Sequence, residues 1–92
     1  MKTIQVNQML SKKTGNPVPN QFNIYTKKGV YFQSYETLIA FKPNEGKLKL
    51  DVNYWDYSRT TSKYLYSFIR YQNKKDILKA IEDKQIILTN LN

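Results

Sequence analysis

The 92-residue sequence contains no cysteine and no histidine. Disulfides, thiol nucleophiles, imidazole bases and the usual zinc sites are therefore excluded. A metal ion could be held only by carboxylates, of which Glu45, Asp51 and Asp56 are the nearest thing to a cluster. These three residues lack the spacing of a metal-binding loop, so we expect neither a metal nor a cofactor.

Long apolar runs are also absent. No segment approaches the ~18 consecutive apolar residues of a membrane span, and no apolar signal region follows Met1 and Lys2. We therefore expect a cytoplasmic protein without a membrane partner. The absence of cysteine agrees with that location.

Acidic residues are scarce, because seven Asp and Glu accompany fifteen Lys and Arg, which gives a net charge of +8 at pH 7. Such a charge attracts polyanions, including nucleic acid and acidic protein surfaces. Only two of the basic residues are arginine, and lysine suits phosphate contact better than the bidentate reading of bases. With 40% hydrophobic and 14% aromatic residues, the composition predicts one folded domain over residues 1–92.

The first third of the chain has the patterns of a strand, a loop and a hairpin. Ile4 and Val6 alternate with polar residues, which predicts a half-buried strand. Residues 11–20 collect Gly, Asn and two Pro, which predicts a mobile loop. A hairpin follows, with residues 27–29 as a three-residue loop and Gly29 in its left-handed position.

Hydrophobic pattern sets the register that we expect in this hairpin and in the next one. Pairing Ile24 with Phe32 gives one apolar face with Phe22, Ile24, Val30 and Phe32, and a second face with Asn23, Tyr25, Tyr31 and Gln33. Pairing Phe41 with Leu48 around residues 43–46 gives an apolar face with Ile39, Phe41, Leu48, Leu50 and Val52, and a second face with Ala40, Lys42, Lys47 and Lys49.

The C-terminal half predicts two helices and a final strand. Ser58 or Thr60 can cap a helix that runs to about Gln72. Its inward face has Thr61, Tyr64, Leu65, Phe68, Tyr71 and Gln72, with Ile69 on the flank. Asn73 and Asp76 resemble a capping box for a second helix, with Ile77, Leu78 and Ile81 inward. Residues 86–88 predict the last strand. The fold class is α+β, with a mainly antiparallel sheet of two hairpins plus edge strands and both helices packed on one face.

The first helix separates its core face from a cationic stripe of Arg59, Lys63, Tyr66 and Arg70. Such a stripe can track a phosphate backbone or an acidic protein groove, although a solvated helix face has the same pattern. Trp55, the only tryptophan, precedes this helix and is typical of a core residue or a hydrophobic staple.

A second candidate site lies on the first hairpin. Bases can stack on exposed tyrosine rings while lysines hold phosphates, and Tyr25, Tyr31, Lys27 and Lys28 would supply both groups. Alternatively, the two tyrosines pack against each other or against the 11–20 loop.

Two segments, WDYSRTTSKYLYSF at residues 55–68 and NQFNIYTKKGVYFQSYETLIAF at residues 20–41, carry a resemblance. They resemble a group of small, functionally uncharacterised proteins encoded by bacteriophages and other mobile elements of bacteria, which share a WDYSxTTxKY-like segment. The resemblance covers most of residues 16–70 and includes no catalytic or cofactor signature. It implies a small phage-type protein that is made inside a bacterium. Common functions of such proteins are nucleic-acid binding and inhibition of a host defence system or enzyme.

We therefore expect a non-enzymatic basic binding domain whose partner is nucleic acid, bound with little sequence preference. The alternative is an inhibitor or regulator that places the same basic face on an acidic or nucleic-acid-binding surface of a host protein. A small ribonuclease of the toxin type could act with Lys, Arg and Tyr alone. Such toxins usually begin with helices, however, and the helices of this chain come late.

Overall fold

A computed structural model of the chain describes residues 4–11 and 13–92. The expectations that concern Met1, Lys2 and Lys12 lie outside these residues. The elements are β1 Gln5–Leu10, β2 Pro17–Tyr25, β3 Gly29–Ser34, β4 Thr37–Pro43, β5 Leu48–Asp51, α1 Arg59–Ile69, α2 Lys74–Glu82 and β6 Ile86–Thr89. The strands form one sheet in the order β1 to β6, antiparallel except for the parallel pair β5 and β6. The predicted α+β class is confirmed.

The two helices form the crossover between β5 and β6, because parallel neighbours cannot be joined by a tight turn. The main core lies between these helices and one face of the sheet. It contains Met9, Phe32, Ile39, Ala40, Leu50, Trp55, Leu65, Phe68, Ile69, Ile77, Ala80 and Ile86. The prediction that Trp55 is a core residue is therefore confirmed. Neither α1, with 11 residues, nor α2, with 9 residues, could span a membrane.

Both helices begin at predicted capping residues. Ser58 Oγ accepts a hydrogen bond from the Thr61 amide at 3.1 Å, and Asn73 Oδ1 accepts one from the Asp76 amide at 2.9 Å. Helix α1 ends earlier than predicted, because Arg70 adopts a left-handed conformation with φ 62°. The amide after Arg70 then donates to the Tyr66 carbonyl at 3.1 Å and closes the helix end.

Helix α2 packs through Ile77 and Ala80, which are buried, and Ile81, which is half-buried. The inward position predicted for Leu78 is wrong, since this side chain is 48% exposed. The inward residues are spaced i, i+3 and i+4, so they occupy one stripe of the helix and leave Leu78 outside it.

The predicted register of the first hairpin is wrong by one residue. Ile24 pairs with Tyr31, and Asn23 pairs with Phe32. The loop therefore has four residues, 26–29, and Thr26 Oγ1 fixes it by accepting from the Lys28 and Gly29 amides at 3.2 Å each. Phe22 and Ile24 consequently lie on the face opposite Phe32.

The register of the second hairpin is also shifted by one residue from the prediction. Ala40 pairs with Leu50 in the core, and Phe41 pairs with Lys49 on the other face. Phe41 is buried there by stacking against Tyr31, with ring centroids 4.3 Å apart. Because apolar side chains occupy both faces of the sheet, the assumption of a single apolar face selected the wrong register twice.

The face predicted to carry three lysines therefore does not exist. Lys42 lies on the helix side of the sheet, where its Nζ is 4.6 Å from the Phe68 ring centroid. Lys49 lies on the opposite side, and Lys47 Nζ donates to the Lys84 carbonyl at 2.6 Å. The expected inward position of Val52 is also wrong, since Val52 is exposed.

Strand β2 begins inside the segment predicted to be a loop. Pro17 pairs with Leu10, whereas pairing with β3 begins only at Gln21. Residues 17–20 thus have a partner strand on one side only, which is where proline without an N–H is tolerated. At the sheet edge, β1 confirms the predicted strand, but Ile4 and Val6 are exposed and Met9 is the buried residue.

Asp51 has a structural role at the end of β5. Its buried carboxylate accepts hydrogen bonds from the amides of Asn53, Tyr54 and Leu91 at 2.8–3.1 Å, and from Asn92 Nδ2 at 3.0 Å. These bonds satisfy the buried charge and hold the last residues of the chain beside the sheet.

Candidate nucleic-acid interface

Helix α1 has the two faces that the sequence predicts. Its buried residues are Thr61, Leu65, Phe68 and Ile69. Thr61 Oγ1 is 2.9 Å from Ser34 Oγ of β3 in a buried hydrogen bond, which fixes the rotation of the helix on the sheet. Gln72 is exposed beyond the helix end, so its predicted core position is wrong.

The cationic stripe lies on the solvent side of α1. Arg59, Lys63 and Arg70 are exposed, whereas Tyr66 is half-buried and packs against the core. Arg70 follows the last helical residue, yet its side chain borders the same groove as Lys63 and Tyr66. The structure therefore brings three of the four stripe residues together around one concave surface, and Arg59 lies further toward the start of the helix.

This surface, which we name the main groove, has a volume of about 870 Å³ and runs between α1 and the end of β1. One wall consists of Met9, Leu10 and Ser11, continued by Lys13. The other wall is the exposed side of α1 and the residues just after it.

The lining of the main groove is both cationic and aromatic. Its basic residues are Lys13, Lys63 and Arg70, and its aromatic residues are Tyr64, Tyr66 and Tyr71. All three tyrosines are half-buried and pack against the core on one side, so their rings are held in place. Among the described residues, no Asp or Glu lines the main groove.

A smaller depression continues from the main groove toward the start of α1, and we name it the Asp56 groove. Lys63 and Tyr66 line both, and Arg59 and Lys74 line the second. Lys74 Nζ forms an ion pair with Asp56 at 2.5 Å, and the hydrogen bond and charge of Asp56 raise the pKa of Lys74. Asp56 therefore neutralises Lys74.

The hairpin residues predicted as a second site do not share one face. Tyr25 pairs with Val30 on the core side of the sheet, whereas Tyr31 stacks on Phe41 on the opposite side. The loop with Lys27 and Lys28 is held against the turn of the second hairpin, because Asn44 donates to both of their carbonyls, at 2.5 and 2.9 Å. The two lysine side chains are exposed and line neither groove.

Comparison with known proteins gives a family but no further likeness. A model for a family of unknown function, DUF8033, matches residues 4–87. The chain belongs to this family. The DUF8033 match includes β1 and α1, so both walls of the main groove lie within it. No curated protein and no solved structure matches the chain.

Several groove residues of this DUF8033 member could not be selected from its sequence. Lys13 is in the connection after β1 and Lys63 is in α1, so only the folded chain brings them together. Tyr64 and Tyr71 carry a partial signal, because they lie at the margin of the predicted core face of α1. A tyrosine in such a position buries its ring and keeps one edge accessible.

Proposed function

We propose that this protein binds single-stranded nucleic acid in the main groove, with little sequence preference and without catalysing a reaction. The observation that carries the proposal is the lining of this groove by three cations and three tyrosines, with no carboxylate among the described residues. Lys13, Lys63 and Arg70 supply the electrostatic attraction for phosphates.

The tyrosines favour a single strand over a duplex. Base stacking on an aromatic ring contributes about 1–3 kcal/mol per base, and it requires a base that is not already stacked inside a helix. Tyr66 and Tyr71 are held by the core, so little side-chain entropy is lost when a base packs on them. Lysine contacts carry no base identity, which accounts for the low sequence preference.

The second candidate is a regulator that docks on an acidic surface of a host protein. Leu10 favours it, because this side chain borders the main groove and is 62% exposed, and an apolar rim has no role in holding phosphates. Tyrosine and arginine are also the residues that most often anchor protein interfaces. In that case the groove would bind acidic side chains and Leu10 would fill an apolar pocket of the partner.

Fluorescence polarisation with labelled oligonucleotides tests the proposal. We expect a single strand of ~15 nucleotides to bind more tightly than the matching duplex at ~50 mM salt. The logarithm of affinity should fall with the logarithm of salt concentration, with a slope of about −0.7 per phosphate contact. If neither the single strand nor the duplex binds at low salt, the proposal is overturned and the protein partner is favoured.

A further inference from the structure

Beyond Arg70, the main groove continues into a third depression, which we name the Lys42 cleft. This cleft has a volume of about 570 Å³ and lies between α1's end and the turn of the second hairpin. Arg70 and Tyr71 line both the main groove and the Lys42 cleft. A bound strand that leaves the main groove past these two residues therefore enters the cleft.

The side chain of Lys42 is exposed, and its ammonium group contacts the aromatic ring of Phe68. Lys42 pairs with Val30, which places it on the helix side of the sheet. Its Nζ lies 4.6 Å from the centroid of the Phe68 ring, an attractive arrangement for a cation and an aromatic face. The ammonium group is thus directed toward α1, and Arg70, which follows α1, lines the same cleft.

Lys42 and Arg70 are two positive charges that line one cleft, and neither has a counterion from the protein. Partial burial and, to a smaller extent, the charge of Arg70 lower the pKa of Lys42. All seven acidic side chains of the sequence are within the described residues, and none forms an ion pair with either cation. Glu45 is near in sequence, in the turn beside the cleft, but it does not line the cleft.

We propose that Lys42 and Arg70 bind a phosphate group, and that in the complex this is a backbone phosphate of the strand that occupies the main groove. An anion between the two cations removes their mutual repulsion and gains two charge-assisted hydrogen bonds. The assignment to a strand phosphate rests on the proposed function, whereas binding of a free phosphate group does not.

Pyrophosphate tests the site without nucleic acid. Lysine side-chain signals are followed by NMR during a pyrophosphate titration, with Lys49 as the control because it lies on the adjacent strand but on the opposite face. We expect saturable shifts of the Lys42 signals and a rise of the pKa of Lys42, which the Lys49 signals do not share. If the signals of both lysines move equally and without saturation, there is no site at Lys42 and Arg70.

Oligonucleotide binding by Lys42→Met and Lys49→Met tests whether the phosphate belongs to the strand. Methionine keeps an apolar stem against Phe68 but removes the charge. For Lys42→Met we expect a salt slope smaller in magnitude by about 0.7, the loss of one contact, whereas Lys49→Met keeps the parent slope. If the parent protein binds the oligonucleotide and Lys42→Met has the same salt slope as the parent, the site binds only free phosphates and not the strand. A parent that binds pyrophosphate but no oligonucleotide would contradict the proposed function and leave the phosphate site standing.

Discussion

At the residue scale, neighbouring side chains of β3 have different environments. Phe32 is fully buried between the sheet and α1, where its ring lies 5.7 Å from that of Phe68. Tyr31 points to the opposite face and is half-buried against Phe41. The sequence correctly predicts that Phe32 faces the core, because the predicted register and the observed register both place this side chain on the core face. It does not identify Phe41 as the aromatic partner of Tyr31, since the stacking depends on pairing between β3 and β4.

Truncation of these two aromatic residues should therefore have unequal effects on stability. Phe32→Ala leaves a cavity in the main core and should cost about 3–5 kcal/mol of unfolding free energy. Tyr31→Ala should cost less, because the side chain is partly in water and loses one stacking contact. Thermal or denaturant melts of both variants measure the difference. Equal losses would contradict the assignment of the two faces.

At Gly29, the close approach of neighbouring backbone atoms leaves no room for a side chain. Gly29 has φ 154°, lies opposite Pro43 and is buried where the first hairpin meets β4. A Cβ atom at this position would overlap the carbonyl oxygen of Lys42 and the backbone of Pro43. Neither group can move without breaking strand pairing, so only glycine fits.

We expect Gly29→Ala to be strongly destabilising and Gly46→Ala to be much milder. Gly46 also has a positive φ, of 102°, but a Cβ atom there would meet nothing within 4 Å. Both variants incur the backbone penalty of about 1–3 kcal/mol for an L-residue at a sparsely populated positive φ, and only Gly29→Ala adds the overlap. Chemical denaturation compares them directly. If Gly46→Ala is equally damaging, backbone conformation and not close approach is the constraint at Gly29.

At the scale of elements, local signals were sufficient for the order of strands and helices and for both helix starts. Ser58 and Asn73 cap their helices through contacts three residues away, which a sequence pattern records. Strand registers depend instead on which side chains meet across the sheet. The rule that apolar residues share one face fails here, because Tyr31 and Phe41 form an apolar cluster on the face without helices.

The two capping residues proposed for α1 provide a matched pair of variants. Ser58→Ala removes the hydrogen bond to the Thr61 amide and should cost about 0.5–2 kcal/mol. Thr60→Ala should be neutral or slightly stabilising, because Thr60 is exposed inside the first turn and alanine has the higher helix propensity. Melting temperatures of the two variants test this order, and a larger loss for Thr60→Ala would show that the cap is misassigned.

At the scale of the whole molecule, the proposed function depends on surfaces that are assembled from distant parts of the chain. The net charge of +8 predicts an anionic partner, and the helical pattern predicts the stripe on α1. The main groove could not be predicted, because Leu10 and Lys13 reach α1 only through the position of β1 at the edge of the sheet. The Lys42 cleft could not be predicted either, since the predicted register placed Lys42 on the face opposite the helices.

Charge reversal on the cationic stripe of α1 tests the central claim that nucleic acid binds in the main groove, which Lys63 and Arg70 of this stripe line. The variant Arg59→Glu, Lys63→Glu, Arg70→Glu changes the net charge by six, and the control Lys27→Glu, Lys28→Glu, Lys75→Glu changes it equally. All six residues are exposed, and the control residues line none of the three depressions. Exposed substitutions usually change stability within ~0.5 kcal/mol each, so both variants should melt close to the parent.

The decisive measurement is the affinity of these two folded variants for a labelled single-stranded oligonucleotide at fixed salt. We predict that the groove variant loses binding, because reversed charges repel phosphates where the parent attracts them. The control should weaken binding only modestly, through the reduced net charge. Binding by the groove variant that equals or exceeds binding by the control would contradict the account and direct attention to Lys27 and Lys28 at the tip of the first hairpin.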